Sequence, residues 1–218
     1  ISRGLVGSEM CIRDRARPDP VTGARGTPIY QTTSFVFDDA EHGAELFNLQ
    51  TFGYVYSRMT NPTVSVFEER VAQLEGGRGA VATSSGHAAQ FIAAATLMEA
   101  GDEFIASRNL YGGSVTQFGV SFPKLGWKCN FVDPTDPENF EKAMNDKVKF
   151  IFCEGVANPG GIILDLEKIA DIAHKHGVLL IVDNTLASPY LLRPFEWGAD
   201  LVVHSTTKFI GGHGNTMG

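Results

Sequence analysis

Hydrophobic and polar positions follow no fixed period in the first part of the chain, then settle into alternating short apolar runs and helical repeats. Residues 16–60 carry Pro18, Pro20 and Pro28, several glycines and the aromatics Tyr30, Phe35, Phe37, Tyr54 and Tyr56. Such a segment is expected to run as an irregular arm with little regular structure. Its apolar groups need cover, which predicts packing against another subunit. At Asn61-Pro62 the pattern changes. Asn61 supplies a cap and Pro62 a first-turn proline; Val64, Phe67, Val71 and Leu74 follow at helical spacing, and Gly76-Gly77 ends the helix. The alternation continues through strand 79–83, helix 87–99, strand 103–106, a helix near 113–120, strand 129–133, helix 137–144 and strand 148–153. Helix 165–176, closed by Gly177, and strands 178–182 and 200–204 complete it. Strands alternating with helices predict an α/β fold of three layers, a mostly parallel sheet between helices, with ligands beyond the carboxyl ends of the strands.

The 218 residues are 43% hydrophobic, ample for a core, and the formal net charge is -7. That balance argues against nucleic acid or an anionic membrane as partner and for small-molecule chemistry. No stretch is long and apolar enough to span a bilayer, and the N-terminus lacks the layout of a signal peptide. Cys11, Cys129 and Cys153 show neither paired nor metal-type spacing, so a reducing, cytoplasmic compartment is expected. Residues 1–15 have no apolar period and no relation to the rest of the chain, and read as a foreign leader. The chain stops at Gly218 inside a glycine-rich loop, which reads as an incomplete C-terminus. The expected division is therefore a leader over 1–15, an arm over 16–60 and one large domain over 61–218.

Four groups fall just after predicted strands: Ser84-Ser85-Gly86-His87, Tyr111-Gly112-Gly113, Asp183-Asn184-Thr185 and Ser205-Thr206-Thr207-Lys208. A lysine among hydroxyls and glycines suits Schiff-base chemistry, with the hydroxyls able to hold an anionic group beside it. Ser85, Gly86 and His87 open a helix whose free N–H groups and positive dipole end suit a phosphate, although an ordinary capped start has the same appearance. Asp183, at the mouth of the sheet, can keep a pyridine nitrogen protonated, or can simply cap a turn. Tyr111 offers a ring to stack, or is only a turn residue. A metal is not expected, because His204, His213 and Cys153 match no ligand spacing. Nucleotide loops of the Gly-x-x-x-x-Gly-Lys or Gly-x-Gly-x-x-Gly kind are absent from the sequence.

From about Pro18 to Gly218 these strings resemble the Cys/Met metabolism family of pyridoxal-phosphate (PLP) enzymes, fold type I. The resemblance is carried by Tyr56-Ser57-Arg58-Met59-Thr60-Asn61-Pro62-Thr63, Asn109-Leu110-Tyr111-Gly112-Gly113, Asn158-Pro159-Gly160, Val182-Asp183-Asn184-Thr185 and the lysine segment. Within the family, the stretches 27–37 and 204–214 resemble the O-acetylhomoserine sulfhydrylase branch. The resemblance implies a cofactor bound covalently at Lys208, which also shuttles protons, with Asp183 at its ring nitrogen and Tyr111 stacked on its ring. It implies phosphate binding by Ser85, Gly86, His87, Ser205 and Thr207, and a contact from Asn158 to the ring hydroxyl or the substrate carboxylate. Tyr56 and Arg58 are implied to serve the phosphate of a neighbouring subunit in a homodimer or tetramer, with Tyr56 joining Lys208 and Tyr111 among the catalytic residues.

The activity implied is γ-replacement, in which an amino-acid substrate, O-acetylhomoserine, reacts with sulfide to give homocysteine. Cystathionine or methionine γ-lyase and cystathionine synthase chemistry use nearly the same site, and a catalytically inert domain with residual cofactor binding is the remaining alternative. His87 departs from the Met or Gln of many relatives. Family members also continue well past Gly218, into a C-terminal domain with a substrate-binding arginine.

Overall fold

The computed structural model describes residues 18–218; the leader expected over 1–15 lies outside the described residues. The chain divides into two compact units. One comprises the residues before Leu74 together with Arg78–Val81, the other Leu74–Gly77 and Ala82–Gly218.

In the first unit, two stretches far apart in sequence are tied by backbone and side-chain bonds. Ser34 and Tyr56 form an antiparallel bridge, and Ser57 N–H donates to Thr33 O at 2.9 Å. Asn61 joins this knot to the helix α2 (Pro62–Glu75): its Oδ1 accepts from Thr63 N–H at 2.9 Å, while its Nδ2 donates to Tyr30 O at 2.9 Å. The cap expected at Asn61 is thus formed, and it also fixes the arm. The arm is less irregular than its composition predicts, since helix α1 (Ala40–Phe47) interrupts it. Asp39 caps α1 by accepting from His42 N–H at 2.8 Å. Gly43 lies inside α1, where a Cβ would stand 3.1 Å from the Phe37 ring and push it aside. Ile29, Val36, Leu49 and Phe52 are almost fully exposed in this unit.

The second unit holds a parallel sheet of β1 (Glu103–Ser107), β2 (Lys128–Val132), β3 (Val148–Glu154), β4 (Leu179–Asp183) and β5 (Leu201–Val203), in the order β2-β1-β3-β4-β5. Successive side chains of a strand point to opposite faces, so each strand feeds two cores. Phe104, Ala106, Phe150, Phe152 and Ile181 pack on one face with Ala94 of α3 (Gly86–Leu97) and with Phe118 and Phe122. Ile105, Ile151, Cys153, Leu180 and Val182 pack on the other, against Phe140 of α5 (Glu138–Lys142) and Leu166, Ile169 and Ala173 of α6 (Leu166–Lys175). Burying one such side chain stabilises by roughly 1.5–3 kcal/mol, so the two-sided alternation fixes both register and layer order. Phe104 stacks on Phe150 with ring centroids 4.7 Å apart, anchoring the aromatic core.

Between β1 and β2 the expected helix is shorter and then changes pitch. The helix α4 (Gly112–Thr116) passes into a π-helical turn at Gln117–Ser121 and a 3-10 turn at Phe122–Leu125. The wide turn lets Gln117 Nε2 donate to His87 O at 3.0 Å, which tethers it to the first turn of α3. A strand expected over 79–83 is not formed in the described structure. Its central side chain, Val81, is 79% exposed, so apolar composition there is not matched by burial. After β4, the short helix α7 (Ser188–Leu191) and a 3-10 turn at Pro194–Trp197 complete the elements of the described residues. Among the described residues, no helix is long and apolar enough to cross a membrane.

Candidate active site

All five strands run the same way, so their carboxyl ends open together on one side of the sheet, where a cavity of about 770 Å³ lies. Ladder pairing puts Glu154, Asp183 and Val203 level at the ends of β3, β4 and β5. The loops leaving these strands, together with the start of α3, supply the lining.

One wall is built for an anion. Ser85 caps α3, its Oγ accepting from Ala88 N–H at 3.1 Å, so the N–H groups of Gly86 and His87 precede the first acceptors within the helix. Opposite them comes Ser205. A Cβ on Gly86 would stand 2.9 Å from Ser205 Cβ and 3.1 Å from its Cα, so glycine alone permits this approach. Ser205, Thr207 and Lys208 all line the cavity from the loop after β5. The Thr207 hydroxyl is engaged by Gly218, donating to its carbonyl at 3.1 Å and accepting from its N–H at 3.0 Å. Lys208 lines the same cavity, is exposed, and among the described residues takes part in no ion pair.

The other wall is acidic. Asp183 is 8% exposed; its Oδ1 accepts from Thr185 N–H at 2.9 Å and its Oδ2 from Gln90 Nε2 at 3.1 Å. Gln90 in turn bonds the Ser114 hydroxyl at 3.0 Å, tying α3 directly to α4 as well as to the carboxylate. Glu154 is also buried, its Oε1 accepting from Tyr111 N–H at 2.7 Å and its Oε2 from Asn158 N–H at 2.8 Å. Burial, reinforced by the charge of Asp183, raises the Glu154 carboxyl to about 7 despite those two N–H donors. Tyr111 and Asn158 therefore enter the lining from backbone held on one carboxylate, and the Tyr111 ring stands 5.8 Å from that of His87.

The structure thus gathers Ser85, Gly86, His87, Tyr111, Asn158, Asp183, Ser205, Thr207 and Lys208 around one cavity. Tyr56 and Arg58 belong to the first unit, where the Arg58 guanidinium lies 5.4 Å from the Tyr56 ring centroid and both residues are exposed. Three residues of the second unit, Gln90, Glu154 and Glu75, were not singled out by the sequence reading. Gln90 and Glu154 line the cavity. Outside the lining, Glu75 accepts from Asn184 Nδ2 at 2.8 Å and is hydrogen-bonded to His204 Nε2, all three side chains being buried. A lone amide on the apolar face of α3 was the signal for Gln90. For Glu154 it was a carboxylate ending an apolar strand, the pattern that did single out Asp183.

The profile of the family described as "Cys/Met metabolism PLP-dependent enzyme" matches residues 8–218. The chain belongs to that family. As a PLP-dependent family member it is 52% identical over 216 residues to an O-acetyl-L-homoserine sulfhydrylase of Leptospira meyeri, covering 99% of this chain and 49% of that one. It is 49% identical over 196 residues to a homocysteine/cysteine synthase of Saccharomyces cerevisiae, covering 89% and 44%. A Campylobacter jejuni crystal structure assigned as an O-acetylhomoserine (thiol)-lyase superposes with a TM-score of 0.90 at 37% identity, covering 94% of this chain and 52% of that one; it holds an N'-pyridoxyl-lysine-5'-monophosphate. The chain thus spans about half the length of these relatives, and its α/β architecture is that of the fold type I large domain.

The PLP cofactor fits the residues present. Its phosphate needs several donors at one point, and the glycine-permitted meeting of the α3 N-terminus with Ser205 provides them. Its ring nitrogen needs a buried anion, and its aldehyde a lysine on the same cavity; Asp183 and Lys208 meet those needs.

Proposed function

We propose that the complete protein carries out PLP-dependent γ-replacement, in which sulfide displaces acetate from O-acetylhomoserine to give homocysteine. The observation that carries this reading is the meeting of Lys208 and Asp183 on one cavity, in a chain about half identical to named O-acetylhomoserine sulfhydrylases. Bound PLP supplies an electron sink for charge developing at the substrate α-carbon. Lys208 Nζ would hold the cofactor covalently and, as a free amine, would take the proton from the substrate Cα and return it. Asp183 keeps the ring nitrogen protonated, and Gln90 and the Thr185 N–H hold its carboxylate in place. The N–H groups of Gly86 and His87, with Ser85, Ser205 and Thr207, bind the phosphate. Tyr111 stacks on the ring, and Asn158 orients the ring hydroxyl or the substrate carboxylate. At Cγ a C–O bond breaks and a C–S bond forms, so acetate leaves as sulfide enters.

The same proposal makes the working unit a homodimer or tetramer. Arg58 and Tyr56 are exposed together on a unit that also exposes Ile29, Val36, Leu49 and Phe52, and a neighbouring subunit both covers those side chains and receives the two polar groups. A reducing, cytoplasmic setting suits the unpaired Cys129 and Cys153.

Borohydride reduction after incubation with PLP, followed by peptide mapping, tests the cofactor assignment: a pyridoxyl adduct is expected on Lys208. Purified protein is then offered O-acetylhomoserine with sulfide, or methionine alone. Homocysteine in the first assay is expected; keto acid from methionine without sulfide-dependent product overturns the γ-replacement reading in favour of elimination.

A further inference from the structure

We propose that Glu154 is a positioning residue of this pocket, a single carboxylate that sets Tyr111 and Asn158 together by accepting their backbone N–H groups. The proposal rests on the reading of the cavity as a PLP site. Glu154 ends β3, level with Asp183 on β4, and is 5% exposed. Its two oxygens are divided between two loops. Tyr111 lies between β1 and α4, a helix whose start has no side-chain cap; Asn158 lies in the loop from β3 toward α6. Among the described residues no ion pair involves Glu154, and these two N–H donors favour its charged form while burial and the nearby Asp183 oppose it. A buried carboxylate without a cation is expensive to keep, and here each oxygen is committed to a short, charge-assisted bond that fixes a pocket-lining residue.

The requirement is for two acceptors at full glutamate reach. Glutamine keeps one acceptor and turns an N–H₂ against the other backbone N–H; aspartate is one carbon too short to span both loops. Either change releases at least one loop, and with it the ring of Tyr111 or the side chain of Asn158. The rest of the sheet keeps its own ladder bonds. Asp183 keeps the bonds from Gln90 and Thr185, so its carboxylate stays where it is.

Wild-type protein, Glu154→Gln and Glu154→Asp are compared in cofactor-free form by amide proton shifts and hydrogen exchange, and then by PLP titration followed through absorbance. In the wild type, the Tyr111 and Asn158 amide protons are expected downfield and protected. In E154Q one or both move upfield and exchange about tenfold faster or more, while amides of β3 and β4 stay protected. PLP affinity falls about tenfold or more, the absorption maximum of the bound cofactor shifts, and E154D restores only one of the two amides. Unchanged shifts and exchange at both amides in E154Q overturn the proposal, and so does weaker PLP binding with both amides unchanged, which assigns Glu154 an effect through charge alone. If E154Q unfolds, its β3 and β4 amides lose protection as well, and E154D then decides by the same two amides. Failure of the wild type to bind PLP counts against the cofactor reading, while the exchange measurements still decide the role of Glu154.

Discussion

The two ends of the sheet treat the same side chain in opposite ways. Glu103 opens β1 at the amino-terminal end. Its carboxylate accepts from Asn130 Nδ2 at 2.7 Å, Asn145 Nδ2 at 3.2 Å and Lys128 Nζ at 3.2 Å, and Lys149 reaches neighbouring Asp102 at 3.5 Å. The Asn130 bond, followed by those to Lys128 and Asn145, outweighs burial and holds the Glu103 carboxyl below its ordinary value. Glu154 closes β3 at the other end with no lysine paired to it among the described residues, only backbone N–H donors and a second carboxylate nearby, and its carboxyl is raised to about 7. At one end acids are neutralised by amides and cations that tie strands together. At the other, two acids are kept next to each other on an open cavity that Lys208 also lines.

The sharpest test of this contrast is Asp183→Ala. Removing one partner of a buried, charge-bearing hydrogen bond costs about 2–5 kcal/mol, so PLP affinity should fall by about two orders of magnitude or more. Glu103→Ala in the same titration should leave affinity unchanged. Equal losses in the two variants would mean that the ends of the sheet do not differ in role.

Glu75→Ala comes next and probes the buried cluster outside the lining. It leaves His204 and the Asn184 amide buried without their shared acceptor, a loss of about 3 kcal/mol. A melting temperature lower by about 6–12 °C is expected by calorimetry. Because Asn184 follows Asp183 and His204 precedes Ser205, cofactor affinity should weaken in the same variant.

These residues show which parts of the molecule were legible in the sequence. Alternating apolar runs placed each strand of the sheet within a residue or two of its observed bounds, because burial on both faces leaves a continuous apolar signature. Asp183 was legible for the same reason, as a charge that ends such a run. Glu154 follows an identical pattern one residue past the expected strand and was equally open to reading, but it was not singled out. Gln90 and Glu75 act through partners 93 and 129 residues away, Asp183 and His204, and no local pattern carries that information. Helix α1 was lost among prolines, glycines and aromatics because its cap, Asp39, and the reason for Gly43 lie in local packing. The segment 79–83 failed in the other direction, since β-type composition needs burial and a ladder before it is a strand.

A third test uses pH to set Glu154 directly against Glu103. Native Glu154 holds its proton to about 7, whereas the unfolded chain releases it near 4.5. Between those values the native state binds more protons, so this group makes stability decline as pH rises, by at most ~1.4 kcal/mol per unit, and leaves it flat above 7. Glu103 works the other way: its folded value is lowered, so its contribution is full above 4.5 and is lost as pH falls through the folded value. Urea unfolding across pH 4 to 8 should show the declining slope in the wild type and in Glu103→Gln, and a flatter profile in Glu154→Gln. A Glu154→Gln profile parallel to that of the wild type would show that the carboxyl titrates normally and that the contrast between the two ends is not electrostatic.

The smallest effect is expected at Lys128→Ala. The lysine side chain is 66% exposed, and its 3.2 Å pairing with Glu103 is screened by solvent, so its loss should cost no more than about 1 kcal/mol. Asn130 and Asn145 remain on the carboxylate, which is why deleting the cation does not strand a charge. The melting temperature should fall by no more than about 4 °C, the difference should shrink in high salt, and PLP affinity should not change. Any loss of PLP affinity in this variant would couple the amino-terminal end of the sheet to the pocket. The division between an end that ties strands and an end that binds would then have to be drawn along individual strands, beginning with β1.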